Sequence, residues 1–140
     1  MKNNYTNGSY NNSSNNSSNN SKSKQDILYM LPKMERHIEY VLKVVLKLPR
    51  TEKFNIGQEM KCVVYDTLKN ILYLSKIDIK YRLDVANIID ANISYEKSLI
   101  RIMYKQRYID NKKYMYMMEE LIVLGNMLGA YIKYLSNFKK

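Results

Sequence analysis

His37 is the only histidine and Cys62 the only cysteine in a chain of 140 residues, so the two side chain types best suited to metal binding or nucleophilic attack each stand alone. One histidine cannot build a multi-histidine metal site. Position 34 is Met, so His37 also lacks the Glu three residues before it that a di-iron bundle requires. Beside Arg36 on a helix surface, His37 is expected to be a solvated side chain. Cys62 adjoins Val63 and Val64 with no second thiol nearby, and is expected to be a small buried hydrophobe. Glu35 and Glu39 share a helix face, and Glu39 lies four residues before Lys43, the favourable orientation for an intrahelical ion pair. Glu119 and Glu120 are adjacent, so on a helix they point about a hundred degrees apart. Neither pair is a catalytic dyad. The chain also has no phosphate-cradling Gly-rich loop, no metal-spaced cysteine set and no nucleophile elbow. The expectation is a binding protein rather than an enzyme, with no cofactor and no metal.

The cations carry more information. Arg36, Lys43, Lys47 and Arg50 follow helical steps along the first apolar segment, and Lys61, Lys69 and Lys76 do the same along the second. Lys97, Arg101 and Lys105 are spaced by four, with Arg107 close behind and Tyr104 and Tyr108 interleaved. A cationic stripe suits phosphate contact, and tyrosine rings can stack on unpaired bases. The Lys97–Arg107 stripe is the best candidate, because no acid interrupts it. An ordinary solvated helix face would look the same.

Positioning these side chains takes helices. Met34, Ile38, Val41, Leu42, Val45 and Leu48 recur at three- and four-residue steps, which predicts a helix over about 33–48 with Pro32 in its first turn and Pro49 ending it. A second is predicted over about 51–76, with Thr51 as N-cap and Ile56, Met60, Val63, Val64, Thr67, Leu68, Ile71, Leu72 and Leu74 inward. A third, over about 79–108 and capped by Asp78, would bury Leu83, Ala86, Ile89, Ile93, Leu99, Ile100 and Met103. A fourth, over about 111–138, would bury Met115, Met118, Leu121, Ile122, Leu128, Ile132 and Leu135. Short connections favour antiparallel neighbours, so the fold expected is all-α, an up-down-up-down four-helix bundle. Gly57, Gly125 and Gly129 are positions where another backbone could come close, within the bundle or between subunits.

Residues 1–25 are almost entirely Asn, Ser, Lys and Tyr and are expected to form a disordered tail, because they have little apolar surface to offset the entropy of ordering. Residues 26–140 would form the bundle domain, roughly 115 residues and enough for one core. The net charge is +10, and the tail's Lys2, Lys22 and Lys24 leave +7 on the rest. That excess points to a polyanion or an anionic surface, although Lys, Asn, Ile and Tyr all have A/T-rich codons and a biased genome would also raise them. No apolar leader follows Met1, no stretch reaches the ~20 residues of a membrane span, and a lone cysteine fits a reducing compartment. A cytoplasmic location is expected.

Two runs carry a family resemblance. Leu48-Pro49-Arg50-Thr51-Glu52-Lys53-Phe54-Asn55-Ile56-Gly57 resembles the inter-helix signature L/F-P-R-S/T-x-x-F-x-L-G of four-helix-bundle proteins related to the ribosomal-RNA intervening-sequence proteins. Gly125-Asn126-Met127-Leu128-Gly129-Ala130-Tyr131-Ile132-Lys133 resembles the G-x-M-L-G-G-W-x-K ending typical of Avd, the accessory variability determinant of diversity-generating retroelements. Ala130 replaces the second glycine of that ending and Tyr131 its tryptophan. The resemblance covers about Met34 to Tyr134 and leaves the tail unmatched.

The resemblance implies a homopentameric barrel of bundles with a basic surface. It further implies binding to the retroelement's reverse transcriptase and its template RNA, and also to cDNA, in support of mutagenic reverse transcription and retrohoming. On this reading Lys97, Arg101, Lys105, Arg107, Arg36, Lys43, Lys47 and Arg50 are the candidate nucleic-acid contacts, and Gly57, Gly125, Gly129 and Tyr131 the candidate packing or oligomer positions. The alternative is an intervening-sequence-type bundle with a structural or RNA-binding role.

Overall fold

The computed structural model describes residues 11–138, with side chains from Gln25 onward. Four long helices and one short turn follow in order: α1 (Asn11–Leu46), α2 (Arg50–Lys53), α3 (Ile56–Leu74), α4 (Ile79–Lys105) and α5 (Asn111–Phe138). The described residues include no strand. The long helices pack cyclically, α1 on α3, α3 on α4, α4 on α5 and α5 back on α1, which is the neighbour pattern of an up-down-up-down bundle.

Helix boundaries differ from expectation in two places. α1 starts at Asn11 rather than near Lys33, so Pro32 lies inside it. Pro32 has no N–H to offer the Leu28 carbonyl, and it stays exposed on the solvent side. Residues 1–10 of the expected tail lie outside the described residues, and from Asn11 the backbone runs helically into α1. Among the residues whose side chains are described, Ile27 is the first that is buried. The expected second helix is split at Phe54–Asn55, and Thr51 sits inside α2 rather than capping α3. Asp78 does occupy the N-cap of α4 with extended backbone, but its side chain makes no capping bond.

The break before α3 places Gly57 where little else fits. A Cβ there would stand 3.0 Å from Val45 Cγ1, 3.2 Å from the Glu52 carbonyl oxygen and 3.3 Å from Leu48 Cδ1. Gly57 thus lets the start of α3 approach the end of α1.

α5 is rotated from the face expected for it. Its buried positions are Met117, Leu121, Leu124, Leu128, Tyr131 and Leu135, at alternating steps of four and three. Met115 and Ile122, expected inside, are 48 % and 47 % exposed. Gly125 and Gly129 have no heavy atom within 4 Å of a built Cβ, so packing inside one bundle does not require them. Tyr131 is buried in its own bundle, and its hydroxyl lies 3.4 Å from Arg82 Nη1.

Helix direction collects charge at one end. The end of α1, all of α2, the end of α4 and the start of α5 lie together, bringing Lys43, Lys47, Arg50, Lys53, Lys105, Arg107, Lys112 and Lys113 to the same pole. No helix among the described residues is long and apolar enough to cross a membrane.

Candidate nucleic-acid interface

A groove of about 340 Å³ runs between the last turns of α1 and the first turns of α5. α1 contributes Tyr40, Lys43, Val44 and Lys47, and α5 with its preceding loop contributes Asp110, Lys112 and Lys113. Val44 is buried in the core, which turns Lys43 and Lys47 outward on either side of it. Asp110 starts α5: its carboxylate accepts the Lys113 backbone N–H at 2.8 Å, and its carbonyl accepts the Tyr114 N–H at 3.1 Å. One oxygen of this carboxylate is taken by backbone, and among the described residues none of the four lysines forms an ion pair. The N-terminal dipole of α5 adds partial positive charge in the same place, so the groove suits an anion.

Lys112 and Lys113 were missed by the stripe reading, which followed steps of three and four. A different signal marks them: two adjacent cations in the first turn of a helix oppose its dipole, so they serve something other than the helix.

The other expected contacts are dispersed. Arg101 and Lys105 are exposed on α4, Lys97 is half-buried, and the Arg101 guanidinium lies 3.4 Å from Ser98 Oγ. Arg107 is exposed with φ of 63°, in the tight connection to α5. These residues and the groove lie on opposite sides of α5, because α5 packs between α4 and α1. Tyr104 stacks on Tyr114 at 4.4 Å, which takes up one of its faces, while the residue itself stays exposed. Tyr108 is half-buried, and its hydroxyl is pushed above its ordinary value by burial and by Glu52. Arg50 is exposed at the start of α2.

Arg36 belongs to a second groove of about 240 Å³ on the same α1/α5 seam, with Lys33, Tyr116, Glu119, Glu120 and Val123. Its acids make it a mixed rather than a cationic surface. The two grooves meet at Tyr40 and Tyr116, whose rings are 4.3 Å apart and tilted by 47°. Burial, Asp110, Tyr116 and Glu120 all raise the Tyr40 hydroxyl, so it stays neutral beside the lysines.

Beneath that junction lies His37. The expected solvated side chain is fully buried, with Nδ1 2.8 Å from Glu120 Oε1 and Nε2 in a close hydrogen bond with Glu96 Oε2. Burial alone would lower the pKa of His37, but hydrogen bonds to Glu120 and Glu96, and then their charges, outweigh it and raise it to about 9. Glu96 is 1 % exposed, and its Oε1 has no hydrogen-bond partner. The periodicity does contain a trace of both residues: His37 continues Met30, Met34, Val41, and Glu96 continues Ile89, Ile93, Ile100, each at core steps. Cys62, expected inside, is exposed, and its sulfur lies 3.6 Å from Gln58 Nε2. Among the described residues no three His, Cys, Asp or Glu side chains are grouped to hold a metal ion.

A family model described as bAvd-like matches residues 28–135. The chain belongs to the bAvd-like family. No curated protein matches the chain, and no solved structure does. Among the residues whose side chains are described, the bAvd-like segment begins one residue after the first buried position, Ile27, and ends at the last, Leu135. It therefore contains the lysine groove, the buried His37 cluster and the Gly125–Gly129 face of α5, and excludes the Asn/Ser run.

Proposed function

We propose that the protein is a non-catalytic accessory scaffold of a diversity-generating retroelement, holding template RNA or its cDNA for the element's reverse transcriptase. The observation that carries this reading is the α1/α5 groove, where Lys43, Lys47, Lys112 and Lys113 converge beside the start of α5. Phosphate backbone binds such a surface without base readout, through charge and counterion release. The exposed Arg101, Lys105 and Arg107 lie beyond α5 and would extend the same track around the basic pole.

Assembly into a homopentamer would repeat the groove and raise the effective concentration for each further contact on one strand. Supporting assembly, α5 leaves Met115, Ile122 and the open Gly125 and Gly129 outside its own bundle. A second backbone could approach the glycine pair closely.

Filter binding of RNA to the wild type and to a variant with all four groove lysines changed to Ala tests the reading. The expected result is weaker binding and a salt dependence shallower by up to about 0.7 for each single-strand phosphate that the variant no longer neutralises. An unchanged affinity and slope would remove the groove from the function. A companion variant, Lys97→Ala with Arg101→Ala and Lys105→Ala, is expected to lose less.

A further inference from the structure

His37 lies at a junction that the function above leaves unused. Its ring is held from α4 by Glu96 and from α5 by Glu120, one carboxylate on each nitrogen. The ring's own helix, α1, carries Lys43 and Lys47 along the same seam, and α5 carries Lys112 and Lys113.

Two carboxylates on two ring nitrogens restrict the protonation state. An ionised carboxylate only accepts hydrogen bonds, and a neutral imidazole has a single N–H. A neutral ring between two ionised carboxylates would set lone pair against lone pair on one side. The arrangement is satisfied when both nitrogens donate. Among the described residues no other group forms an ion pair with either carboxylate. The buried positions of α3, which packs against α1, include Met60, Val63, Val64, Thr67 and Ile71, and none of them ionises. On the seam itself, Lys33, Arg36, Tyr116 and Glu119 line the outer groove beside Glu120, and Tyr40 stands at its edge.

We propose that His37 is a buried imidazolium that locks α1 to α4 and α5, and that loss of its proton releases the lock and the alignment of the groove lysines. One carboxylate then faces an unprotonated nitrogen, and the core holds two negative charges with no cation between them. The cheapest escape is for Glu120 to swing outward, since it is 19 % exposed where Glu96 is sealed at 1 %. That motion parts α5 from α1. His37 acts as a positioning residue for the groove, and this half of the inference rests on the groove reading above.

Because the chain has one histidine, selective ¹⁵N-histidine labelling of the full-length protein reports this ring alone. At neutral pH both nitrogens are expected to give protonated-type resonances, and to titrate above the ordinary 6.5, at about 9. One unprotonated nitrogen at neutral pH would place the proton on a carboxylate and overturn the lock. RNA binding is then followed across the same pH range in the wild type and in His37→Gln. The wild type is expected to weaken by at least about fivefold as the ring titrates, while His37→Gln is weak and flat. Parallel profiles would overturn the coupling even if the ring is an imidazolium. If the four-lysine variant binds like the wild type, the groove assignment fails, whereas the nitrogen spectrum still decides the lock. Should His37→Gln not fold, the wild-type spectrum and titration decide it alone.

Discussion

At the scale of single residues, the buried cluster dominates. The folded-state pKa of His37, about 9, lies above its ordinary 6.5. Its contribution to stability is therefore fully present below 6.5 and is lost as pH rises through about 9. For a fully buried ring that contribution is on the order of 3 kcal/mol. Denaturant melts across this window should show the loss, and a midpoint that holds steady through pH 9 would contradict it. Removing one member is expected to be worse than removing all three. His37→Ala leaves Glu96 and Glu120 facing each other without a cation, a loss of about 3–5 kcal/mol. Replacing His37 by Met and both glutamates by Leu should fold at least as stably as the wild type and lose the alkaline sensitivity. Calorimetry of the two variants separates these outcomes. The sequence displayed His37 and Glu96 at core steps, yet residue type pointed outward. Charge on one helix is read as solvated unless its partner on another helix is known, and Glu96 is 59 positions away from His37.

At the scale of elements, α5 shows where periodicity loses its grip. Apolar residues surround it: Leu121, Leu124 and Leu128 face the core while Met115, Ile122 and Val123 face out. A helix apolar on two sides offers two stripes of nearly equal quality, and only packing selects one. α1, α3 and α4 have one dominant stripe each, so their cores were legible apart from half-buried edges such as Leu42, Leu68 and Leu83 and the exposed Leu72. The fold class followed from those three helices and the short connections. The groove did not, because it joins residues 43 and 47 to 112 and 113, a pairing that depends on which helices are neighbours. Gly57 was legible as a close approach, and its substitution tests how α1 meets α3. Gly57→Ala gains about 1 kcal/mol of helix propensity but forces Val45, Leu48 and the Glu52 carbonyl to give way. A net loss of about 1–2 kcal/mol is expected in urea unfolding.

At the scale of the whole molecule, the same substitution on α5 has the opposite sign. Gly125→Ala and Gly129→Ala meet nothing within the bundle, so a lone bundle should gain up to about 1 kcal/mol from each. In an assembly that uses this face, the added methyl groups would stand between subunits. Light scattering with melting distinguishes the cases. A fall in mass or stability is expected if copies pack through this face, and a simple gain at constant mass would move the interface elsewhere. Light scattering of the wild type at micromolar concentration should return the mass of five chains, and the mass of one would contradict the pentamer.

The direction of the helices carries one more consequence. α1 runs toward the lysine groove and α5 runs away from it, so Asp26 and Tyr134 lie close enough to interact, at the pole opposite the groove. The 28 residues of α5 span about 40 Å between the two poles. The start of the packed part of α1, at Asp26, and the last turns of α5 therefore lie side by side, at the pole away from the groove. Dyes attached at these two positions would test how many bundles gather on an RNA strand without touching the groove lysines.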